Sequence, residues 1–430
     1  MITEPVVTGY LSEHYSDESY RTLQGYTALG GYRAIRKALE MDPAEITETV
    51  KAAGLRGRGG AGFTTGLKWS FMPEESDRPK CIVVNADESE PGSFKDRLIL
   101  ERGPHQVLEG ILIGARAMGA SLVFIYVRGE YAHPADVLEA AVRELYEAGF
   151  AGPRAFGVRG FDVEIVVHRG AGAYICGEET GLLESLEGKK GQPRKKPPFP
   201  AQYGAFGLPS TVNNVETFAH VPFIIERGVE WFRGFGTEKS PGTTLFGVSG
   251  HVERPGLFEL PLGTPLQELI GHAGGVRAGR ALKAVIPGGM SMPVLPPSEI
   301  DVGMADELLM ERGTHLGTGG VIVMDETTCM VRVGCVVSHF FRDESCGQCT
   351  QCREGTGWGN KLCLRIEQGR ATPEDLEVLA DVPSLMEGQT ICAFADAAAW
   401  PIQGLLRHFR AEFEEHVRLQ KCPLPDGFEL

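Results

Sequence analysis

The length, composition and charge of this chain exclude several classes of protein. Its 430 residues predict two to four domains, and 42% hydrophobic with 23% charged residues is the composition of a globular protein. The formal net charge of −15 argues against nucleic acid as a partner, because a phosphate backbone attracts a basic surface. No stretch reaches the apolar length that spans a bilayer, so we expect no direct membrane insertion.

Cysteine and glycine usage narrow the class further. The 10 cysteines are too sparse for a disulfide-rich scaffold, and the start, Met1–Pro5, lacks the basic and apolar regions of a signal peptide. We therefore expect free thiols. The 56 glycines form a share of about 13%, against a usual ~7%, and they concentrate in a few loops where a backbone can approach a ligand closely.

The first 240 residues predict an α/β domain. Residues 1 to about 30 show no clear period and are expected to form an extended arm, and residues 31–53 follow a helical pattern. Three short apolar runs predict buried strands: Cys81–Asn85, Ser121–Val127 and Phe161–Val167. Helical patterns over 98–118 and 134–148 lie between them. Strands that alternate with helices predict a parallel sheet.

The pattern changes twice in the remainder of the chain. Residues 241–326 contain short strands and one short helix, which predict a small α+β module. Residues 327–430 are helical in pattern throughout. The predicted strands of the middle segment are Thr243–Gly250, Leu257–Leu260, Ala284–Ile286 and Gly320–Met324.

A glycine-rich loop over residues 54–66 is the first candidate site. Its backbone offers many N–H donors beside Arg56 and Arg58, an arrangement that can wrap phosphates. The loop is not a GxGxxG fingerprint that follows a clear strand, and it lacks the GK[ST] of a P-loop. A mobile surface loop without a ligand is therefore the alternative to a phosphate-binding loop. Lys68 and Phe71 follow closely and favour a nucleotide.

Two further loops follow predicted strands. Residues 85–92 begin after the first strand, where ligands bind in open α/β sheets, and Asn85 and Asp87 are candidate ligand contacts. A solvated turn is the alternative interpretation. The second loop, residues 170–181, follows the third predicted strand and enters a helix. Glu178 and Glu179 lie in the first turn of that helix, where favourable interaction with the helix dipole is a sufficient structural explanation for them. A basic run over residues 189–200 is either a solvated loop or a cationic rim near an anionic ligand.

Three cysteines at CxxCxxC spacing, Cys346, Cys349 and Cys352, favour an iron–sulfur cluster. Zinc sites more often use two separated pairs, and inert thiols are the third interpretation. A [4Fe–4S] cube needs a fourth thiolate, and spacing alone does not exclude Cys335 or Cys363 for that place.

Five motifs occur in an order that identifies a family. They are Arg56-Gly-Arg-Gly-Gly-Ala-Gly-Phe63, Asn85-Ala-Asp-Glu-Ser-Glu-Pro-Gly92, Gly172-Ala-Tyr-Ile-Cys-Gly-Glu-Glu-Thr180, Asn213-Asn-Val-Glu-Thr217 and Glu344-Ser-Cys-Gly-Gln-Cys-Thr-Gln-Cys-Arg-Glu-Gly355. Over nearly the whole chain they resemble the NADH-binding, FMN- and [4Fe–4S]-containing F-type subunit of respiratory complex I, NADH:quinone oxidoreductase. The resemblance implies an FMN- and NADH-binding parallel-sheet domain over 1–240, a ubiquitin-like β-grasp domain over 241–326 and a cluster-binding helical bundle over 327–430.

The resemblance also implies roles for individual residues. The FMN and dinucleotide phosphates would be lined by Gly57, Arg58, Gly59, Gly60 and Lys68. FMN would be held by Asn85, Asp87, Tyr174, Gly177, Asn213, Asn214 and Thr217, with Glu179 also at the cofactor. Phe63, Phe71 and Phe199 would stack on the NADH rings, while Glu90 and Glu178 would position the nicotinamide without acting as acid or base. Cys346, Cys349, Cys352 and Cys392 would ligate the cluster, Cys392 because its context Thr390-Ile-Cys-Ala-Phe394 matches the family.

These implied roles predict an NADH dehydrogenase that takes hydride from NADH onto FMN and passes single electrons to the cluster and toward quinone. The expected partners are a [2Fe–2S] thioredoxin-like subunit and a large iron–sulfur subunit, in the peripheral arm of a bacterial membrane complex on the cytoplasmic side. One alternative is the diaphorase subunit of an NAD-linked hydrogenase or formate dehydrogenase. Such relatives often carry extensions with further cysteines, and the tail of this sequence holds only Cys422, so we expect the respiratory subunit. A distant alternative is a non-catalytic zinc scaffold, which would be colourless.

Overall fold

The N-terminal half is built on a sheet of four parallel strands. A computed structural model of the protein describes residues 7–424. The strands are β1 (Cys81–Ala86), β2 (Leu122–Val127), β3 (Glu164–Arg169) and β4 (Ser210–Asn214), in the order β3-β2-β1-β4. The sequence did not predict β4, because Ser210-Thr-Val-Asn-Asn214 contains a single apolar residue. Pairing with β1, in which Cys81 lies opposite Ser210, makes it a strand.

Ten helices accompany this sheet. They are α1 (Leu23–Ala28), α2 (Arg33–Glu40), α3 (Pro43–Ala53), α4 (Thr65–Trp69), α5 (Lys95–Arg102), α6 (Pro104–Met118), α7 (Ala132–Glu147), α8 (Glu179–Leu186), α9 (Val215–Arg227) and α10 (Val229–Arg233). The predicted helices over 31–53 and 98–118 are each two helices, because Pro43 and Pro104 each occupy a first helical position and begin a new helix. Helices α6 and α9 pack so closely that a Cβ on Gly110 would lie 1.9 Å from the carbonyl oxygen of Phe218.

The prediction of an extended N-terminal arm is wrong for the described part of that segment. A 3₁₀ turn over Glu18–Arg21 and helix α1 fold against the domain, and Tyr15, Tyr20 and Tyr26 are buried. The carboxylate of Glu259 accepts hydrogen bonds from the backbone N–H groups of Gly9, Leu11 and Ser12. The aromatic side chains follow no single period, but burial of each stabilises the packed segment. Residues 1–6 lie outside the described range.

The second sheet has four strands, β5 (Thr243–Gly250), β6 (Gly256–Pro261), β7 (Leu282–Ile286) and β8 (Gly320–Asp325), in the order β6-β5-β8-β7. Its central pair, β5 and β8, is parallel and both outer pairs are antiparallel. Helices α11 (Leu266–His272) and α12 (Asp306–Leu309) belong to the same region. Side chains of β5 and α11, including Phe246, Val248 and Leu269, share one apolar cluster.

Four helices follow in the last part of the chain that the structure describes: α13 (Met330–Glu344), α14 (Thr350–Glu367), α15 (Pro373–Met386) and α16 (Phe394–Leu419). One apolar cluster joins them to α8 and to the face of the parallel sheet that carries Cys81 and Val83. The predicted fold class, a parallel-sheet domain followed by a β-grasp module with its own sheet and a helical bundle, is confirmed. That cluster draws side chains from all three predicted domains, and the boundaries at 240 and 326 stay predictions. Within residues 7–424 no helix combines the length and apolarity of a membrane crossing.

Candidate functional site

The candidate site lies at the carboxyl ends of the parallel strands. Asn85 at the end of β1 pairs in register with Asn214 at the end of β4, and Val84 pairs with Asn213. Since parallel strands end at one edge of a sheet, the loop that begins with Asp87 and helix α9, which begins at Val215, leave from the same place. This edge is where open α/β sheets bind their ligands.

The glycine-rich loop between α3 and α4 covers this edge. The backbone N–H of Gly57 donates to the carbonyl oxygen of Phe63 at 2.9 Å and closes the loop. Gly60 and Gly62 have φ of +110° and +64°, backbone conformations that glycine adopts without strain. A Cβ on Gly59 would lie 3.1 Å from the Cβ of Asn214, so a bare backbone is what allows the loop to approach β4. The loop therefore presents main-chain groups beside the polar strand ends.

Arg58 fastens the loop to the start of α9, through Thr217, and to the segment before β5, through Pro241. The backbone N–H of Arg58 donates to Thr217 Oγ1 at 2.9 Å, and its buried guanidinium donates to the carbonyl oxygen of Pro241 at 2.9 Å. Arg58 Nε is buried and has no hydrogen-bond partner among residues 7–424. The structure thus gives both residues a positioning role, and their direct contact with a phosphate or FMN stays a prediction.

Asp87 supplies a buried acceptor at the strand end. Asn85 Nδ2 donates to the carbonyl oxygen of Gly177 at 2.8 Å, and Asn85 Oδ1 accepts from the backbone N–H of Asp87 at 3.0 Å. Burial raises the pKa of Asp87 to about 7, against the opposing charge of Arg128. Its Oδ1 has no hydrogen-bond partner within the described chain. Because a buried polar atom costs free energy when unpaired, this oxygen fits a ligand with a ring N–H group or a hydroxyl, such as FMN.

Tyr174 and Glu90, predicted from separate motifs, are joined directly. Tyr174 Oη donates to one carboxylate oxygen of Glu90 at 2.7 Å, and the backbone N–H of Ser291 donates to the other at 2.7 Å. Burial raises the pKa of Glu90, and these two hydrogen bonds only partly offset that effect. The pair links the loops after β1 and β3 to the segment after β7.

Glu178 and Glu179 have different surroundings. Glu178 caps α8 by accepting from the backbone N–H groups of Thr180 and Gly181, each at 2.8 Å, which agrees with the helix-dipole interpretation. Glu179 lies between Lys68 Nζ at 2.8 Å and Lys196 Nζ at 2.6 Å. Burial alone raises the pKa of Glu179, but the two lysines outweigh it and the pKa is lowered. The sequence marked the basic run but did not single out Lys196.

Three of the predicted site residues are exposed aromatic residues. Phe63, Phe71 and Phe199 are 47%, 55% and 54% exposed. The ring centroids of Phe63 and Phe71 are 6.1 Å apart with the planes at 48°, on either side of α4 in the chain. Exposed rings at a polar crevice are suited to stack on a planar ligand, and their contact with NADH stays a prediction.

A buried charge cluster beneath the site was missed by the sequence reasoning. Lys95 Nζ lies 2.9 Å from Asp96 Oδ1 and 2.7 Å from Glu216 Oε2, and all three side chains are nearly inaccessible to water. Asn214 Nδ2 donates to the second oxygen of Asp96, so the cluster anchors a predicted site residue. A second predicted site residue, Asn213, accepts a hydrogen bond at its Oδ1 from Trp69 Nε1 at 2.9 Å. In the sequence, the only sign of this cluster is the pair of adjacent charges Lys95-Asp96, shortly after the 85–92 motif. The periodicity of the sequence does not show that these charges are buried.

The structure gathers the four predicted cluster cysteines. Cys346 lies in the loop between α13 and α14, Cys349 caps α14, and Cys352 lies in its first turn. Burial raises the pKa of Cys392 to about 12, and electrostatic interaction with Glu178, Cys346 and Cys352 acts in the same direction. Cys392 therefore lies close to the triple, and four free thiols of this kind fit a [4Fe–4S] cluster.

The two other candidate ligands lie away from this loop. Cys363 is 11 residues along α14 from Cys352, about 17 Å for an α-helix. Cys335 is nine residues along α13 from its end at Glu344, about 14 Å, and Cys346 follows two residues later. The geometry therefore supports Cys392 over Cys335 and Cys363, and the ligand set stays a prediction.

The thiol loop and the strand-end site are in contact. The backbone N–H of Tyr174 donates to Glu344 Oε2 at 3.0 Å, and Gln192 Nε2 donates to the carbonyl oxygen of Cys346 at 3.2 Å. The Tyr174 ring packs edge-on against Phe340 with a centroid distance of 5.1 Å. A strand-end crevice with a glycine-rich loop, adjoining a three-cysteine loop and Cys392, defines a class of protein, the flavin- and iron–sulfur-dependent oxidoreductases.

Comparison with known proteins gives the family. Models described as the Nuo51 FMN-binding domain, the SLBB domain and the NADH-ubiquinone oxidoreductase-F iron–sulfur binding region match residues 50–223, 245–295 and 334–416. The chain is 52% identical over 403 residues to the second F-type subunit of NADH-quinone oxidoreductase in Rhizobium meliloti, covering 93% of this chain and 96% of that protein. It is 50% identical to the F-type subunit of the Mycobacterium bovis enzyme, covering 97% and 95%. The chain belongs to the family of F-type subunits of NADH-quinone oxidoreductase, and FMN and a [4Fe–4S] cluster are its cofactors.

A solved structure is also similar. The chain matches one chain in the crystal structure of an NAD⁺-reducing [NiFe]-hydrogenase in the H₂-reduced state with a TM-score of 0.84 and 37% identity, covering 96% of this chain and 67% of that one. The likeness fits the diaphorase alternative. The higher identity and nearly full coverage of both chains favour the relatives from NADH-quinone oxidoreductase.

Proposed function

We propose that this chain is the NADH-oxidising flavoprotein subunit of an NADH:quinone oxidoreductase. FMN, when bound, accepts two electrons together as hydride from NADH and releases them singly to an iron–sulfur cluster. The chain's own residues bind, orient and shield the reactants, and no side chain has to act as general acid, general base or nucleophile.

The observation that carries this proposal is the direct contact between the strand-end crevice and the thiol loop. Tyr174 holds Glu90 through its hydroxyl and Glu344 through its backbone N–H, and Glu344 is two residues before Cys346. One residue thus spans from the predicted flavin side to the predicted cluster side. This arrangement supports electron transfer between two cofactors held by one chain.

Individual residues have distinct tasks in this proposal. The main chain of Gly57–Gly60 and the Lys68 ammonium face the anionic groups of the nucleotide, since backbone N–H groups and a cation both stabilise phosphate. Asp87 accepts a hydrogen bond from the flavin, and Glu90 and Glu178 orient the nicotinamide. The exposed rings of Phe63 and Phe71 stack on NADH and exclude water from it.

Stopped-flow mixing of the anaerobic purified chain with NADH tests the hydride step. We expect bleaching of flavin absorbance in the visible range, together with FMN, iron and acid-labile sulfide in the preparation. A preparation that contains FMN but does not bleach with NADH would contradict the proposal. A colourless preparation without iron would instead support the zinc-scaffold alternative.

The position of the chain in a larger assembly is also proposed. We place it in the peripheral arm of a membrane complex on the cytoplasmic side, next to a [2Fe–2S] thioredoxin-like subunit and a large iron–sulfur subunit. Copurification from its native membrane distinguishes the candidates: quinone-reducing membrane subunits support the respiratory assignment, whereas a soluble hydrogenase or formate dehydrogenase subunit supports the diaphorase alternative.

A further inference from the structure

A second cluster of metal-binding side chains lies in the helical bundle, away from the thiol loop. We call it the C-terminal tetrad: Cys329, Glu367, His416 and Cys422. Cys329 caps the start of α13, Glu367 ends α14, His416 lies in the last turn of α16 and Cys422 follows that helix. One candidate ligand atom from each residue lies within 4.8 Å of the others. Four separate places in the chain therefore converge on one point.

The spacing of these atoms matches a tetrahedral zinc site. Zinc–ligand bonds of about 2.3 Å to sulfur and about 2.0–2.2 Å to nitrogen or oxygen put two sulfurs roughly 3.8 Å apart, sulfur and nitrogen roughly 3.6 Å, and nitrogen and oxygen roughly 3.4 Å. The sulfurs of Cys329 and Cys422 are 3.9 Å apart. Cys329 Sγ lies 3.3 Å from His416 Nε2, and His416 Nε2 lies 3.6 Å from Glu367 Oε2.

The surroundings orient two of the four ligands. His416 Nδ1 lies 2.7 Å from the carbonyl oxygen of Glu412, which fixes the proton on Nδ1 and leaves the Nε2 lone pair directed at the tetrad. Arg332 Nε donates to Glu367 Oε1 at 2.8 Å and holds that carboxylate. Metal-ligating histidines and carboxylates are oriented in this way by outer hydrogen bonds.

An unpaired atom points independently to a missing ligand. Glu367 Oε2 is buried and has no hydrogen-bond partner in the described part of the chain. The His416 side chain beside it is 1% exposed. A buried carboxylate oxygen without a hydrogen bond is costly, and coordination of a cation removes that cost.

The tetrad is separate from the predicted iron–sulfur site. Helix α13 begins beside Cys329 and ends at Glu344, next to the thiol loop, and its 15 residues span about 22 Å. None of the four residues takes part in the function proposed above. The tetrad therefore lies at the opposite end of the bundle.

We propose that the C-terminal tetrad binds one Zn²⁺ ion as a structural site. Two thiolates, an imidazole and a carboxylate are all zinc ligands, and four protein ligands fill a tetrahedral shell, which is typical of structural rather than catalytic zinc. The ion ties the start of α13 and the end of α14 to the end of α16 and the segment after it.

Zinc analysis of the complete chain, purified with its FMN and iron–sulfur cluster, tests the site. We expect about one zinc per chain by mass spectrometry, bound to two sulfur and two nitrogen or oxygen atoms by X-ray absorption at the zinc edge. Cys422→Ser should lose most of the zinc while retaining FMN and iron. Cys335→Ala is the matched control, because Cys335 is a buried thiol on α13 outside the tetrad, and its zinc content should not change.

Three results would overturn the proposal. The first is a preparation with a full iron complement but without zinc, even after incubation with Zn²⁺. The second is a zinc edge spectrum of the unaltered chain without sulfur ligands, a measurement that does not depend on whether a variant folds. The third is a disulfide between Cys329 and Cys422 in the unaltered, zinc-free chain, found by peptide mapping without reduction.

Discussion

Replacing Lys95 by methionine should strongly destabilise the protein and its flavin site. The ammonium group of Lys95 contacts two carboxylates, at 2.9 and 2.7 Å, and its side chain is 3% exposed. Lys95→Met retains the length of the side chain but leaves Asp96 and Glu216 as uncompensated buried charges. Breaking a buried ion pair by removing one partner costs about 3–5 kcal/mol, and we expect a loss of that size.

The pH dependence of the loss gives a second measurement. Burial raises the pKa of Glu216, but Lys95 outweighs it and the pKa is lowered, so this carboxylate stabilises the folded state above its ordinary pKa. Burial raises the pKa of Asp96 to about 7 even beside Lys95. Without Lys95 the pKa of both carboxyl groups rises, so the folded state binds protons that the unfolded state releases. The loss should therefore be largest near pH 8 and shrink toward about pH 5.

Urea unfolding of the flavin-free chain, followed by tryptophan fluorescence at both pH values, measures these effects. Lys51→Met is the matched control, because Lys51 forms a 2.9 Å pair with Glu48 in which both side chains are largely exposed. Its cost should stay below about 1 kcal/mol. A loss for Lys95→Met that is no larger than the control, or equal at pH 5 and pH 8, would refute the reasoning.

Three further outcomes are expected. Cys349→Ser should remove the electron paramagnetic resonance signal of a reduced [4Fe–4S] cluster while flavin bleaching by NADH stays within about twofold; equal loss of both would mean that the thiol loop is needed for folding. Phe71→Ala should raise the KM for NADH by roughly 2- to 12-fold with unchanged FMN content, since a stacked ring contributes about 0.5–1.5 kcal/mol. Phe206→Ala, which removes an exposed ring elsewhere, should leave the KM unchanged, and equal effects of the two variants would exclude stacking. Burial raises the pKa of Asp87 to about 7, so the folded chain without flavin binds a proton there that the unfolded chain releases. The stabilisation that Asp87 gives this chain is therefore fully present below about pH 4 and is lost as the pH rises through 7. Asp87→Asn should remove that part of the pH dependence in urea midpoints, and an unchanged profile would contradict the assignment.

The sequence predicted the features that depend on local pattern. The strand starting at Cys81 and the strand ending at Val127 are continuous apolar runs, and both are present with small shifts of their ends. The CxxCxxC spacing and the glycine loop are likewise chemical signals within one short segment. Such features survive folding because one stretch of chain contains all the residues that produce them.

Pairing and burial between distant segments were not predictable in this way. Strand β4 is polar in sequence and exists because β1 pairs with it. The N-terminal tyrosines are buried because a domain lies against them, and Lys95 is buried because α9 brings Glu216 against α5, the helix that carries Lys95 and Asp96. No periodicity within a window contains that information.

For this protein, the sequence by itself determined the family, the cofactors and the identity of the candidate site residues. The tertiary structure decided which of those residues meet. It favours Cys392 over Cys335 and Cys363, joins Tyr174 to both Glu90 and Glu344, and gathers Cys329, Glu367, His416 and Cys422 from four places. The physical reason is that chemistry at a site depends on distances of a few ångströms, and only the packing of whole elements sets those distances.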